Sequence, residues 1–423
     1  MQRMPVPRFL EKLTKVEDAI EIIKKSTKPI EETVRLPVWD AIGMVLAEDI
    51  TSQYDFPQRP RVAYDGYAVR SSDTPGKLKI VGEATIGRIP SDLVVNEGTA
   101  VYVSTGSFLP EGADTVVPEE EAKKEDEYVT ITKHFPPGKN FDPIGAFLRK
   151  GEKILSKGYV ITLLDAVSLL DIAVTEVTVF RKINLTILIT GSELFEPRDP
   201  KLAKVRIRNG EVAETTATLI ENIIKTYTPW VHIRGRVLLP DEVETISWYI
   251  ERQFSDSDVI LMTGGTGPSN VDTFYQLAGV LKGRTLFRGL FIKGGRPTSA
   301  MLLPGGSLLI ALSGYPISAL HGFLRLVYPI LKYLGNVKRA TLPPLHTYAV
   351  LDEDIKAKRP QPIKVKLILK NSELHAVPLP HKKQLSSATI SNVEADGIAI
   401  LTDNRVYTKG EKVPVFIYRE PSS

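Results

Sequence analysis

The sequence predicts a multidomain chain of mixed α/β and β architecture, and three observations carry that prediction. The chain has 423 residues, more than one hydrophobic core usually supports, so two to four domains are expected. Between Val174 and Gly335 one local design recurs: an apolar strand run, a glycine-bearing loop, then an amphipathic helix. On either side of that region the pattern changes to short apolar runs separated by Pro and Gly, the signature of β structure with turns.

From the N-terminus, Pro7 to Lys25 carries Phe9, Leu10, Leu13, Val16, Ile20 and Ile23 at helical spacing. Ala41 to Ile50 reads as a second short helix. From Thr51 to about Gly151 the runs Leu78–Val81, Thr99–Val103 and Tyr128–Ile131 predict a β-rich insertion. Helical periodicity returns over Ile161 to Ala173. The predicted division is therefore an N-terminal helical and linker region (1–50 and 151–175), the insertion (51–150), an α/β domain (176–335) and a C-terminal β domain (336–423).

Within the α/β domain the strand runs are Asn184–Thr190, Asp258–Thr263 and Ser307–Leu312. They lead into Gly191-Ser192-Glu193, Gly264-Gly265-Thr266-Gly267 and Ser313-Gly314-Tyr315-Pro316. Helices are expected over Glu214–Tyr227, Asp241–Phe254 and Pro316–Leu334, with Pro316 suited to a first helical turn. Alternating strand and helix imply a doubly wound parallel sheet covered on both faces. The tail after Gly335 has apolar runs at Thr347–Leu351, Ile363–Leu369, Gly397–Leu401 and Val413–Ile417, which suit a small barrel or sandwich.

Composition narrows the function classes. Hydrophobic content is 43% and charged content 25%, an ordinary soluble balance. The formal charge of +4 is too diffuse for a nucleic-acid surface, so none is expected. Without cysteine, thiolate metal sites and cysteine nucleophiles are excluded. The first residues lack a signal-like apolar run, and Met301–Leu312 is too short to span a bilayer, so a cytoplasmic, membrane-free protein is expected.

Ligands of a parallel α/β sheet bind beyond the carboxyl ends of its strands, where all three loops should lie. Glycines there let backbone N–H groups approach an anion. Asp272, just past the second loop, either holds Mg²⁺ or a water aimed at phosphorus, or caps a helix beginning near Thr273. Glu193 and Asp241 invite the same pair of readings, and capping is the better one for Asp241. Lys293 and Arg296 flank Gly294-Gly295 and can converge on a tetrahedral oxyanion, or they are a solvated loop pair. Ser318, at the start of a helix, either holds an oxyanion or only caps. Asp65-Gly66 reads as a hairpin turn, and Ser104-Thr105-Gly106 is likewise turn-like. There is no HExxH spacing and no G-x-S-x-G elbow.

These same stretches, in order, resemble the molybdopterin molybdenumtransferases, the MoeA and gephyrin E-domain family. The stretches are DGYAVRSSDT (65–74), STGSFLPEGADTVVPEE (104–120), TGSEL (190–194), TGGTGPSNVDTF (263–274), FIKGGRP (291–297) and SGYPISAL (313–320). The GGTG stretch with its Asp also resembles the related adenylyltransferases of molybdopterin. The resemblance implies a MogA-like α/β domain, an elongated N-terminal region with its β insertion, and a C-terminal β barrel. It implies a homodimer in which one subunit's insertion reaches the other's α/β cleft. The implied reaction inserts molybdate or tungstate into adenylylated molybdopterin and releases AMP, assisted by Mg²⁺, with the upstream adenylyltransferase as a possible partner.

Carried over by motif, Asp65, Glu193, Asp241 and Asp272 form an acidic set around metal and pyrophosphate, and Thr105 gains a role beside Asp65. Gly264, Gly265, Thr266, Gly267, Lys293, Arg296 and Ser318 bind the cofactor and its oxyanion. Several positions depart from the family pattern. Gly294 and Arg296 stand where it usually has proline and lysine, and Tyr315 where it usually has asparagine. A non-catalytic molybdopterin scaffold and an adenylyltransferase are the competing readings.

Overall fold

The computed structural model describes residues 13–265, 271–385 and 389–421, with the side chains of Gln253, Val271 and Asp272 outside that set. The chain divides into two compact units: Met1–Ala47, Gly158–Val167 and Thr175–Ser423 form one, and Glu48–Lys157 with Ser168–Val174 the other.

The larger unit is built around a six-stranded sheet. Its strands are β1 (Ile183–Thr190), β2 (Val231–Leu239), β3 (Val259–Thr263), β4 (Arg284–Arg288), β5 (Ser299–Leu302) and β6 (Leu308–Leu312), in the order β2-β1-β3-β6-β5-β4. The four strands from β2 to β6 are parallel, whereas β5 runs antiparallel to β6, and β4 antiparallel to β5. The sheet is therefore mixed, not wholly parallel as the alternation predicted. Strands β3 and β6 are buried along their whole length, which explains their unbroken apolar runs. One face packs into a core with Ile220, Ile224, Leu320 and Phe323, the other with Ile246, Ile250, Phe274 and Leu277.

The helices follow the expected registers with shifted ends. They span Thr216–Tyr227, Val243–Gln253 and Val271–Val280. The helix expected from Pro316 runs to Gly322, widens into a π turn over Phe323–Val327, and continues as Tyr328–Leu334. Pro329 lacks the N–H a regular ladder needs and crowds the carbonyl one turn back, so the ladder loosens just before it.

A helix at Val16–Ser26 buries Val16, Ala19 and Ile23, while the earlier part of the predicted N-terminal helix lies outside the described residues. The helix expected over Ala41–Ile50 is absent. Gly43 has φ +81°, where helix cannot continue, and Val45-Leu46 pairs instead with Val179-Phe180. The tail is a closed barrel of Thr347–Leu351, Gln361–Lys370, Glu373–Pro378, Gly397–Leu401 and Lys412–Ile417. Ala399 and Leu401 fill the barrel, while Ile398 and Ile400 join the core of the α/β sheet.

The smaller unit holds a six-stranded sheet ordered Thr115–Pro118, Gly66–Val69, Thr99–Val103, Gly76–Ala84, Tyr128–Ile131 and Ala122–Glu125. Both faces are covered: Ala68, Val101 and Val103 pack on one side, Tyr67, Val69 and Ala100 on the other. No helix among the described residues is long and apolar enough to cross a membrane.

Candidate active site

In the order β2-β1-β3-β6 the chain crosses outward from β1 to β2, then returns past β1 to β3. That reversal opens a crevice between the carboxyl ends of β1 and β3, where ligands of doubly wound sheets bind. Each of these strands ends in a threonine, Thr190 and Thr263, followed at once by glycine.

The glycines at β3 are required by close approach. Gly264 has φ +90°, and a Cβ on it would stand 2.0 Å from the carbonyl oxygen of Thr190. Gly265 has φ +61°, and its Cβ would lie 2.9 Å from Thr190 Oγ1 and 3.9 Å from Asp241 Oδ1. Gly314, after β6, lies against the same loop at an ordinary contact distance, with its Cβ position 3.7 Å from Gly264 Cα. The three predicted loops thus converge on one edge. They line a cavity of about 550 Å³ together with Glu193, Asp241, Glu214, Thr216, Val212, Tyr315 and, from the C-terminal region, Thr389.

Two features give this cavity the character of a ligand site. The hydroxyls of Thr190 and Thr263 are both 1% exposed and have no hydrogen-bond partner among the described residues. Buried hydroxyls normally find partners, so a bound group is the natural candidate to satisfy them. The second feature is acidic: Glu193, Asp241 and Glu214 all line the same space.

Glu214 is already engaged. One of its oxygens accepts the Ala217 N–H (2.5 Å) at the start of the Thr216–Tyr227 helix. The other accepts from the Thr218 hydroxyl (3.0 Å) and pairs with Arg236, which also meets Glu196 (3.4 Å) and Glu221 (3.0 Å). Burial alone would lift the Glu221 carboxyl, but hydrogen bonds from Lys225 and Arg236 outweigh it and hold the group below its ordinary range. The same region fixes the third loop, since Thr216 donates to the Gly314 carbonyl (2.6 Å).

Asp241 does not cap the following helix. Glu242 holds the N-cap position of Val243–Gln253, and its side chain makes no capping bond. Asp241 lies one residue earlier, its N–H donating to Ser192 Oγ (3.4 Å) in the first loop. Mg²⁺ is typically held by one or two carboxylates plus substrate phosphates and water. Glu193 and Asp241 fit that donor set, and among the described residues no larger cluster of metal-ligating side chains occurs. Thr266, Gly267 and the Asp272 side chain lie outside the described residues.

The predicted oxyanion set is distributed differently. Lys293 lines a second cavity of about 650 Å³ with Lys356, Lys358, Arg359, His381, Glu353 and Asp354. Its backbone N–H donates to the Pro360 carbonyl (2.7 Å). Ser318 is buried beneath the turn, where a Cβ on Gly294 would stand 3.2 Å from Ser318 Oγ. Gly294 has φ +65°, which proline cannot adopt, so this turn differs from a proline-bearing one. Arg296 is half-buried, and its neighbour Pro297, not Arg296 itself, lines the first cavity. Beneath the turn His321 is fully buried. Its Nδ1 lies 3.1 Å from the Lys293 carbonyl, and burial, aided by nearby Arg325, pushes its pKa down to about 4.

In the smaller unit Asp65 and Thr105 meet directly, the Thr105 N–H donating to Asp65 Oδ1 (2.6 Å). Asp65-Gly66 is not a hairpin turn: Gly66 opens a strand flanked on both sides, and its Cβ would stand 2.0 Å from the Val117 carbonyl. Nearby, Tyr102 donates to Glu119 (3.0 Å). That bond, with burial and the charges of Glu119 and Asp65, lifts the phenol to about 12.

Comparison with known proteins now decides the family. Residues 14–172 match the model of the MoeA N-terminal region (domain I and II), and residues 186–333 match a model described as "Probable molybdopterin binding domain". The chain belongs to the MoeA family. Molybdopterin molybdenumtransferases of Staphylococcus epidermidis and Staphylococcus aureus are each 26% identical to it. The first alignment covers 95% of both chains, the second 98% of this chain and 96% of the relative. The crystal structure of the molybdopterin biosynthesis moeA protein from Pyrococcus horikoshii OT3 matches with a TM-score of 0.77 at 26% identity, over 96% of this chain and all of that one. This is a family of enzymes of molybdenum cofactor biosynthesis.

Proposed function

We propose that the chain inserts molybdate or tungstate into the dithiolene of adenylylated molybdopterin and releases AMP. The observation that carries this reading is the pair of threonine hydroxyls beside Gly264 and Gly265 that have no partner among the described residues, in a crevice that also holds the carboxylates of Glu193 and Asp241 besides the Arg236-paired Glu214. Glycine amides and hydroxyls suit phosphate oxygens; carboxylates in the same crevice suit a phosphate only when a cation accompanies it.

Mg²⁺ held by Glu193 and Asp241, with Asp272, would neutralise the pyrophosphate and stabilise the departing phosphate charge. The protein's own part is positioning. Gly264, Gly265, Thr266 and Gly267 cradle the phosphate, and the Thr190 and Thr263 hydroxyls orient it. Lys293, with Lys356, Lys358 and Arg359, concentrates the tetrahedral oxyanion, while Ser318 supports the turn that presents Lys293. Arg296 adds positive charge to that turn. In this reading the enzyme works in the cytoplasm as a homodimer and takes its substrate from the upstream adenylyltransferase. Asp65 and Thr105 of one copy complete the cleft of the other.

The test is direct. Purified protein given adenylylated molybdopterin, molybdate and Mg²⁺ releases AMP and yields metal-loaded cofactor. Ligand that binds without AMP release would overturn the transferase reading in favour of a scaffold. Consumption of ATP with unadenylylated molybdopterin would instead place the chain one step earlier.

A further inference from the structure

We propose that Tyr315 is the stacking platform of the glycine-loop cavity, packing its ring against the adenine of the adenylyl group; this rests on the nucleotide reading above. Tyr315 lines the cavity yet is 55% exposed. It holds the N-cap position before Pro316 in extended conformation (φ −92°, ψ 130°) and makes no side-chain capping bond. Its N–H donates to Ser313 Oγ (3.3 Å), so the backbone is anchored while the ring stays open. The two other exposed rings between residues 176 and 335 are engaged: Arg288 lies 4.3 Å over Tyr275, and Trp248 packs edge-on against Tyr249 at 5.1 Å. Among the described residues the Tyr315 ring has no such aromatic or cationic partner.

The rest of the cavity wall matches a nucleotide in two parts. Thr190, Thr263, Gly264, Gly265, Ser313 and Gly314 supply the polar edge for phosphate. Leu194, Val212, Ala213 and Pro316 supply apolar surface in the same cavity, and Val212 is itself half exposed. An open ring face in a cavity with apolar walls is a surface on which a purine stacks, and stacking needs no hydrogen-bond code.

The experiment measures binding of AMP and of ribose 5-phosphate, with Mg²⁺, to the full-length protein and to Tyr315→Ala and Tyr315→Phe. Tyr315→Ala should weaken AMP by roughly 5- to 150-fold and leave ribose 5-phosphate within about twofold, whereas Tyr315→Phe keeps AMP within about twofold. Unchanged AMP affinity in Tyr315→Ala overturns the proposal. So does an equal loss of both ligands, which would mean Tyr315 acts on the loop and not on the base. If the unaltered protein binds ribose 5-phosphate as tightly as AMP, stacking is refuted while the phosphate site stands. If it binds neither, the nucleotide reading falls with it.

Discussion

Replacing Gly264 by alanine tests how the crevice is built. Two costs arise together. A non-glycine residue in the left-handed region costs roughly 1–2 kcal/mol, and here φ is +90°. The added Cβ would also stand 2.0 Å from the Thr190 carbonyl oxygen. That oxygen sits at the end of β1, which is paired on both sides by β2 and β3, so it cannot yield cheaply. Overpacking of this kind costs roughly 1–3 kcal/mol more. The expected loss is about 2–5 kcal/mol. At roughly 2–4 °C per kcal/mol, the transition of the larger unit should fall by on the order of 4–20 °C.

Gly314→Ala is the matched control. Gly314 has no positive φ, and its Cβ would lie 3.7 Å from Gly264 Cα, an ordinary contact. It should change stability by no more than about 0.5 kcal/mol. Thermal unfolding of the two variants, with AMP titrations at a temperature where both are folded, separates them. Gly264→Ala should lose stability and AMP affinity together. Equal melting temperatures and equal affinities for the two variants would refute the close-approach argument.

Other expectations follow from the same geometry. Arg236→Leu leaves Glu214, whose side chain is 1% exposed, without its cation and should destabilise the larger unit by roughly 3–5 kcal/mol; adding Glu214→Gln should recover part of the loss in denaturant unfolding. His321 has its pKa lowered from 6.5 to about 4, so the unfolded chain binds more protons between those values. Stability is then fully present above pH 6.5 and declines by roughly 3 kcal/mol as pH falls to 4, and His321→Gln should flatten that decline in pH-dependent unfolding. If the cleft is shared between subunits, Asp65→Asn and Asp241→Asn should each be inactive as homodimers. Co-refolded, they should regain about one quarter of full activity, because half the dimers are mixed and each keeps one intact site. No recovery in dimers shown to be mixed would contradict sharing.

Much of the architecture was legible because buried parallel strands announce themselves. The runs ending at Thr190, Thr263 and Leu312 have no polar interruption that the sheet does not use. The edge strand Val231–Leu239 went unread because one side of it is open, so His232, Arg234 and Arg236 break its pattern. Strands Arg284–Arg288 and Ser299–Leu302 are short and antiparallel, and they carry no helix between them to mark a repeat. The turn at Ala41–Ile50 mimicked a helix because its apolar residues face a core contributed by distant chain, Val179 and Phe180.

The site was legible where backbone demands glycine and illegible where it depends on tertiary pairing. Gly264 and Gly265 could be read directly. The two strand-end threonines were readable too, as polar residues closing apolar runs, but nothing in the sequence alone says that their hydroxyls find no partner among the described residues. Glu214 and Arg236 are 22 residues apart, and only the fold brings them together. Asp241 carried helix-cap spacing, yet the helix starts later and releases it to the cavity. Lys293 lies on the turn and lines the second cavity, whereas Ser318 lies on the helix beneath the turn, buried, a separation that spacing could not show.

The most direct measurement is AMP release in a single turnover of adenylylated molybdopterin, run with molybdate, with tungstate and with neither oxyanion. The account predicts one AMP for each metal atom incorporated, and little AMP when no oxyanion is present. AMP released at the same rate without oxyanion, or metal incorporated without AMP, would contradict it.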